Sequence, residues 1–410
     1  MNIQKLWRPL ASAICDAGWL SATRARAWCR VLAVVSAVIV AAWLGLSHDG
    51  IDRLGKPIGT DFISFWSASQ LALTGQTAAP YDLDIHARAQ HALLPAGQPG
   101  YYGFFYPPMF LLLCLPLALL PYLAALAVWL TASLAALFVC IRKIPPHRWA
   151  ILPFLAFPGV LINAGHGQNG FISASCLGAG MLLMPRRPFL AGMCLGALVF
   201  KPHLLLAAPV ALLAARRWAV VVGRISSALG LTTLSWLVLG QDAWRDFLRV
   251  APLARATLEE GLVESWKMQS VFAAVRVLHG TVEVAYAAQI LAATVVCLVL
   301  GRVAARRPGG QAEGALLIAA TLCCTPFLLD YDLVCLILPI AWVTAEAQRN
   351  GWQSWEKVVL LAAYTLPLFS RVLAMTGVPI APVVLAALLL VVARRASQPQ
   401  VSCPKLFQTP

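Results

Sequence analysis

The sequence predicts an all-α, polytopic integral membrane protein, and three observations predict it. Of its 410 residues 60% are hydrophobic and 12% charged, too little polar surface to clothe a water-soluble globule. The apolar residues gather into runs approaching the roughly 20 residues that a helix needs to cross a hydrocarbon core of about 30 Å. The basic residues stand between those runs: Arg24, Arg26 and Arg30; Arg186 and Arg187; Arg216, Arg217 and Arg224; Arg302, Arg306 and Arg307; Arg394 and Arg395. The alternating strands of a closed barrel are not found.

The first run, Val31 to Leu46, follows basic residues as a signal peptide would, but it leads into Ser47-His48-Asp49-Gly50 without a small-residue cleavage pattern. It reads as a retained first helix with its amino end in the cytoplasm. The weakly hydrophobic stretch 48–106 is then a first extracytoplasmic loop, rich in carboxylates (Asp49, Asp52, Asp61, Asp82, Asp84). Inside it, Asp61 to Leu73 repeats Phe62, Phe65, Trp66 and Ser69 at helical spacing, which predicts an amphipathic helix on the membrane surface.

Candidate spanning segments follow at about 107–120, 121–141, 149–165, 170–184, 188–200, 203–215, 220–239, 285–301, 314–329, 332–347, 357–370 and 379–393. Several are short and broken by Pro or Gly, a pattern tolerated at membrane depth where a helix lines a cavity or is buried in protein. Thirteen crossings would place Arg394 and Arg395 outside, against the charge rule. One segment is therefore re-entrant, or two near Pro107 to Cys140 form one broken helix, which gives about 11–13 transmembrane or re-entrant helices in a single membrane domain, 1–410. A second extracytoplasmic loop, 241–283, carries Trp244, Phe247 and Trp266. At that length it reads as a substrate lid or a lipid-interface element.

The net charge of +14 does not indicate nucleic-acid binding, because the basic residues are scattered as topology signals rather than collected on one face. The eleven cysteines do not indicate a metal. Most, such as Cys114, Cys140, Cys176, Cys194 and Cys297, lie in apolar runs, and Cys323-Cys324 lacks CxxC spacing.

Ionisable residues at a membrane face are costly without a partner or a task, so the few present are the functional candidates. They are Asp61, His166 in Gly165-His166-Gly167-Gln168-Asn169, Lys201 before Pro202-His203, and Asp330 and Asp332 around Tyr331. In the topology that satisfies the basic residues all fall at outer helix ends, where they can converge on one cavity. Lys201 suits a lipid phosphate, or else a nearby carboxylate. His166, Gln168 and Asn169 can donate hydrogen bonds to phosphate or sugar, or simply end a helix. Asp330 and Asp332 can bind sugar hydroxyls or cap helices. Asp61 is either a reactive carboxylate or an N-cap, and Tyr106-Pro107-Pro108 reads as a helix start.

The segments GTDFISFWSASQLALTGQTAAPYD, FYPPMFLLLCLPLALLPYLAALAVW, GHGQNG, KPHLLLAAPVALLAARRW and TPFLLDYD, in that order, resemble the signature blocks of glycosyltransferase family 87. That family holds polyprenyl-phosphate-mannose-dependent α-1,2-mannosyltransferases of the GT-C superfamily. The resemblance spans about residues 59 to 332. It implies a GT-C-like fold and a metal-independent, cofactor-free, inverting transfer from a polyprenyl-phosphate sugar to an extracytoplasmic glycan or glycolipid, in a cytoplasmic (inner) membrane. It also implies that the acidic residue of the first outer loop, here Asp61, is the general base. A carboxylate near an apolar surface, with its pKa raised, suits that task. Two rival classes remain: a transporter or lipid flippase, whose broken helices look alike, and a non-catalytic membrane scaffold.

Overall fold

Proline and glycine cut the apolar runs into short helices, and proline opens many of them, since its missing N–H is no loss in a first turn. The computed structural model describes residues 15–93, 100–144, 151–306 and 309–398. Arg307, residues 94–99 of the first loop and the first two residues of the expected 149–165 segment lie outside the described residues. About three quarters of the described residues are helical, in 17 α-helices, and no strand occurs among them.

In chain order these are α1 (Ala22–Gly45), α2 (Phe62–Leu73), α3 (Leu83–His91), α4 (Pro108–Cys114), α5 (Tyr122–Arg142), α6 (Ile151–Leu155), α7 (Pro158–His166), α8 (Gly170–Leu183) and α9 (Pro188–Gly196). They continue as α10 (Ala208–Ala214), α11 (Trp218–Glu259), α12 (Val271–Val277), α13 (Val282–Ala305), α14 (Ala312–Cys324), α15 (Ile337–Asn350), α16 (Glu356–Met375) and α17 (Ala381–Ala396). Among the described residues five of them, α1, α5, α11, α13 and α16, are long and apolar enough to cross a bilayer. The protein is thus an all-α, multi-pass membrane protein.

α14 is the central helix. Every residue of it but Cys323 is buried, and it packs against α8, α13, α15 and α17. At the other extreme α1 buries only Cys29 and touches the rest of the fold mainly through α6 and α7, with Cys29 Sγ 3.8 Å from the Tyr364 hydroxyl of α16.

Two elements differ from the sequence expectation. α2 has the predicted length, but it does not rest on a surface with one face free. Phe62, Ile63, Phe65, Ala68 and Ala72 are all buried, with Ser64, Ser67 and Ser69 among them, because α3, α4, α5 and the 3₁₀ turn Leu115–Leu119 cover it from several sides. Of these serines, Ser69 bonds back to its own helix, its Oγ donating to the Phe65 carbonyl at 2.7 Å, while the Ser64 and Ser67 hydroxyls find no partner among the described residues. The stretch 241–283, expected as a loop, is helical through Glu259. α11 breaks only at Gly240, whose φ of 81° a residue with a Cβ rarely adopts, and beyond it an amphipathic extension turns Trp244 and Phe247 inward. Phe247 meets Tyr81, ring centroids 5.8 Å apart.

The ends of the helices sort by charge. Arg217, at the start of α11, forms a bidentate pair with Glu313 at the start of α14. Arg395, at the end of α17, is bound to Glu356 at the start of α16, with nitrogen to oxygen distances of 2.5 and 2.7 Å. The far end of α14 packs beside the start of α17, where Leu322, Cys323, Pro382 and Leu385 line one small cavity. α14 and α17 are therefore antiparallel, and both charge pairs belong to one end of the molecule. Arg371 lies 15 residues, or about 22 Å, up α16 from Glu356, towards the opposite end.

Candidate active site

The site is assembled where the turn between α7 and α8 meets the segment just before α2. α7 ends at His166, and Gly167 takes the left-handed conformation (φ 64°, ψ 25°) that closes a helix. Gly167 also sets the close approach, since a Cβ there would lie 2.6 Å from Phe62 Cβ. Asn163 clamps the turn: its amide donates to the Gln168 carbonyl at 3.1 Å, and its carbonyl oxygen accepts from the Gly170 N–H at 2.9 Å. The Tyr122 hydroxyl holds the neighbouring strand of chain by donating to the Ile58 carbonyl at 2.7 Å. With both segments fixed, the Asp61 N–H donates to the His166 carbonyl at 2.9 Å.

Asp61 occupies the position before α2, yet its side chain makes no capping hydrogen bond. Its Oδ2 instead accepts from Gln168 Nε2 at 3.0 Å and faces His166 Nδ1 at 3.7 Å. The orientation of Gln168 is determined, because its Oε1 already accepts from the Asn169 N–H at 3.0 Å and the Tyr106 hydroxyl at 3.3 Å. The amide NH₂ is left to point at Asp61. About a quarter of the Asp61 side chain is exposed. Crowding by protein raises its pKa above the ordinary carboxylate range, while charge interaction with His166 and the Gln168 hydrogen bond pull it partly back.

A cavity of about 360 Å³ adjoins this corner. Its polar wall is Thr60, His166, Asp330 and Arg371, and its apolar wall includes Ile162, Leu368 and Val372. Asp61 stands directly behind Thr60 and His166, whose Oγ1 and Nδ1 lie 3.3 Å apart. Asp330 accepts from Arg371 Nη1 at 3.2 Å and from the Tyr331 N–H at 2.8 Å. The Arg371 guanidinium lies 4.6 Å above the Trp266 ring.

Of the residues singled out in the sequence, Asp61, His166, Gln168 and Asp330 come together here, with Asn169 buried directly behind Gln168. Asp330 does not cap a helix, and neither does Asp332. Lys201 and Asp332 form their own pair, Nζ to Oδ1 at 2.7 Å, with side chains 3% and 1% exposed. The pair touches the site through Tyr331, whose ring lies 4.9 Å from Lys201 Nζ and 5.9 Å, between centroids, from His166. The cavity is lined by Arg371 and not by Lys201.

Arg371, Trp266 and Tyr106 were not read as site residues from the sequence. A signal for Arg371 existed: it is a lone charge inside the apolar helix α16, one residue beyond the end of the expected 357–370 segment. Tyr106 was read only as the residue before a proline-initiated helix. Pro107 and Pro108 do start α4, but the hydroxyl of Tyr106 reaches Gln168.

Compared with known proteins, the chain matches the model of glycosyltransferase family 87 over residues 104–339, more than half its length. That span holds His166, Gln168, Asn169, Lys201, Asp330 and Asp332, while Asp61 precedes it and Arg371 follows it. No curated protein and no solved structure matches.

Proposed function

The chain belongs to glycosyltransferase family 87 and is a membrane glycosyltransferase, and from that premise we propose that it moves a sugar, mannose favoured, from a polyprenyl-phosphate donor to an extracytoplasmic glycan or glycolipid. Family membership decides against the transporter and scaffold readings. The mechanism rests on the Asp61 carboxylate, which turns away from the helix it precedes and is held by Gln168 beside a cavity.

In this reading Asp61 takes the proton of the acceptor hydroxyl as that oxygen attacks the anomeric carbon. The bond from that carbon to the phosphate oxygen breaks, the polyprenyl phosphate leaves with the electron pair, and attack opposite the leaving group inverts the configuration. Oδ2 is engaged by Gln168, and among the described residues nothing donates to Oδ1, so Oδ1 is the proton acceptor. Asp330 faces the cavity, where it is placed for a sugar hydroxyl.

Charge supports an extracytoplasmic site: Arg217 and Arg395 mark one end of the fold and the site lies toward the other, the arrangement that the positive-inside rule favours for an outward-facing site. A cytoplasmic (inner) membrane is the setting this implies.

Incubating purified protein with a panel of radiolabelled polyprenyl-phosphate sugars and, in parallel, nucleotide sugars tests the donor class. Transfer from a lipid donor supports the proposal, and transfer from nucleotide sugars alone rules it out. The raised pKa of Asp61 adds a pH dependence. A base works only when ionised, so turnover is expected to rise with pH through the Asp61 pKa, with its acid limb above the ordinary carboxylate value of about 4. An acid limb at or below that value would remove the link between Asp61 and the rate.

A further inference from the structure

We infer that Arg371 seats the donor's phosphate and that the donor's lipid tail enters between α7 and α16. The inference rests on the lipid-phosphate reading above and assigns that reading a place and a residue. Arg371 is the fixed positive charge on the cavity wall, and about a third of its side chain is exposed. A guanidinium carries five N–H donors in a planar fork suited to phosphate. Asp330 uses one of them, and the Trp266 ring takes one face of the cation; among the described residues nothing else bonds the other donors, which are left for a ligand.

The wall around Arg371 supplies the second half of the recognition. Leu368, three residues before it, and Val372, the residue after it, line the cavity and are 45% and 60% exposed. α16 is one of the membrane-length helices, so exposed apolar side chains on it suit contact with hydrocarbon. On the other flank Ile162 of α7 continues the apolar lining. A charged head can therefore lie against Arg371 while an apolar tail stays in the bilayer, a geometry that suits a lipid phosphate better than a free one. Lys201 cannot play this part as placed, because its ammonium is buried on Asp332.

Asp330, bonded to Arg371, competes with phosphate for it, which gives the proposal opposite signs for two variants. Asp330→Asn should bind polyprenyl monophosphate more tightly than the natural protein. Asp330→Asn/Arg371→Gln, which leaves no carboxylate unpaired and so keeps the fold, should bind it about 10-fold or more weakly than Asp330→Asn, as expected for a lost charged hydrogen bond. Binding is measured on full-length protein in nanodiscs with radiolabelled polyprenyl monophosphate, uncharged polyprenol and inorganic phosphate. The expected ranking places polyprenyl monophosphate well above both others. Equal affinity of the single and double variants would overturn the role of Arg371, and equal affinity for inorganic phosphate would overturn the tail entrance. Neither readout involves sugar transfer, so failure of the subsite and failure of the transferase reading show up separately.

Discussion

Asp61→Asn is expected to abolish sugar transfer while the protein stays folded and still binds its lipid donor. The substitution is nearly isosteric, and Asn serves as well as Asp before a helix. In any case the Asp61 side chain makes no cap bond to lose. The amide oxygen can still accept from Gln168 Nε2, so local geometry survives. What Asn cannot do at neutral pH is take up a proton, and loss of a general base costs about 100- to 10,000-fold in rate. Transfer activity, thermal stability in detergent and donor affinity of the variant are measured side by side. Near-normal turnover would take the base role away from Asp61 and leave Asp330, on the wall of the adjoining cavity, as the next carboxylate to try.

The second large effect concerns stability. Lys201→Ala leaves Asp332, 1% exposed, as a buried carboxylate without its counter-charge, and breaking such a pair from one side costs about 3–5 kcal/mol. Removing both charges together, as Lys201→Leu/Asp332→Leu, should recover most of that loss, because two apolar groups need no solvation. Thermal unfolding of the single and double variants in the same detergent is the check. A Lys201→Ala protein with unchanged unfolding and a raised KM for the donor would show that Lys201 meets the phosphate, as its sequence context allows, and that the buried pair is not its resting task.

Much of this fold is legible in the sequence because lipid leaves few options. Composition and the length of apolar runs select helices, and Pro or Gly at the breaks sets where the helices end. The turn from Gly165 to Asn169 stands out for the same reason: polar groups and glycines interrupt an apolar run. Pairings between distant segments are not legible. Gln168 reaches Asp61 across 107 positions, and its direction depends on Tyr106, which looks like nothing more than the residue before two prolines. The extension of α11 is not legible because Asp242, Arg245, Asp246 and Arg249 make the stretch look like a solvated loop. They form their ion pairs along one face of a helix, while the inward face carries the aromatic residues. The surface position expected for α2 fails for a related reason: the helices that close over it come from other parts of the chain.

The Lys201–Asp332 pair also has a bearing on how the chain is made. Synthesis runs from the amino end, and Asp332 follows Lys201 by 131 residues. For that whole interval the lysine belongs to an apolar segment with no counter-ion, and a charge at membrane depth is costly until it is compensated. The lysine can be held near the headgroups until its partner emerges, so the segment from Pro188 to Ala214 settles late, after α14 and the Asp330–Leu336 turn have been delivered. Cross-linking cysteines placed at the two positions in ribosome-arrested chains of increasing length would date the event. A nascent chain that stops short of Asp332 carries an uncompensated charge at Lys201.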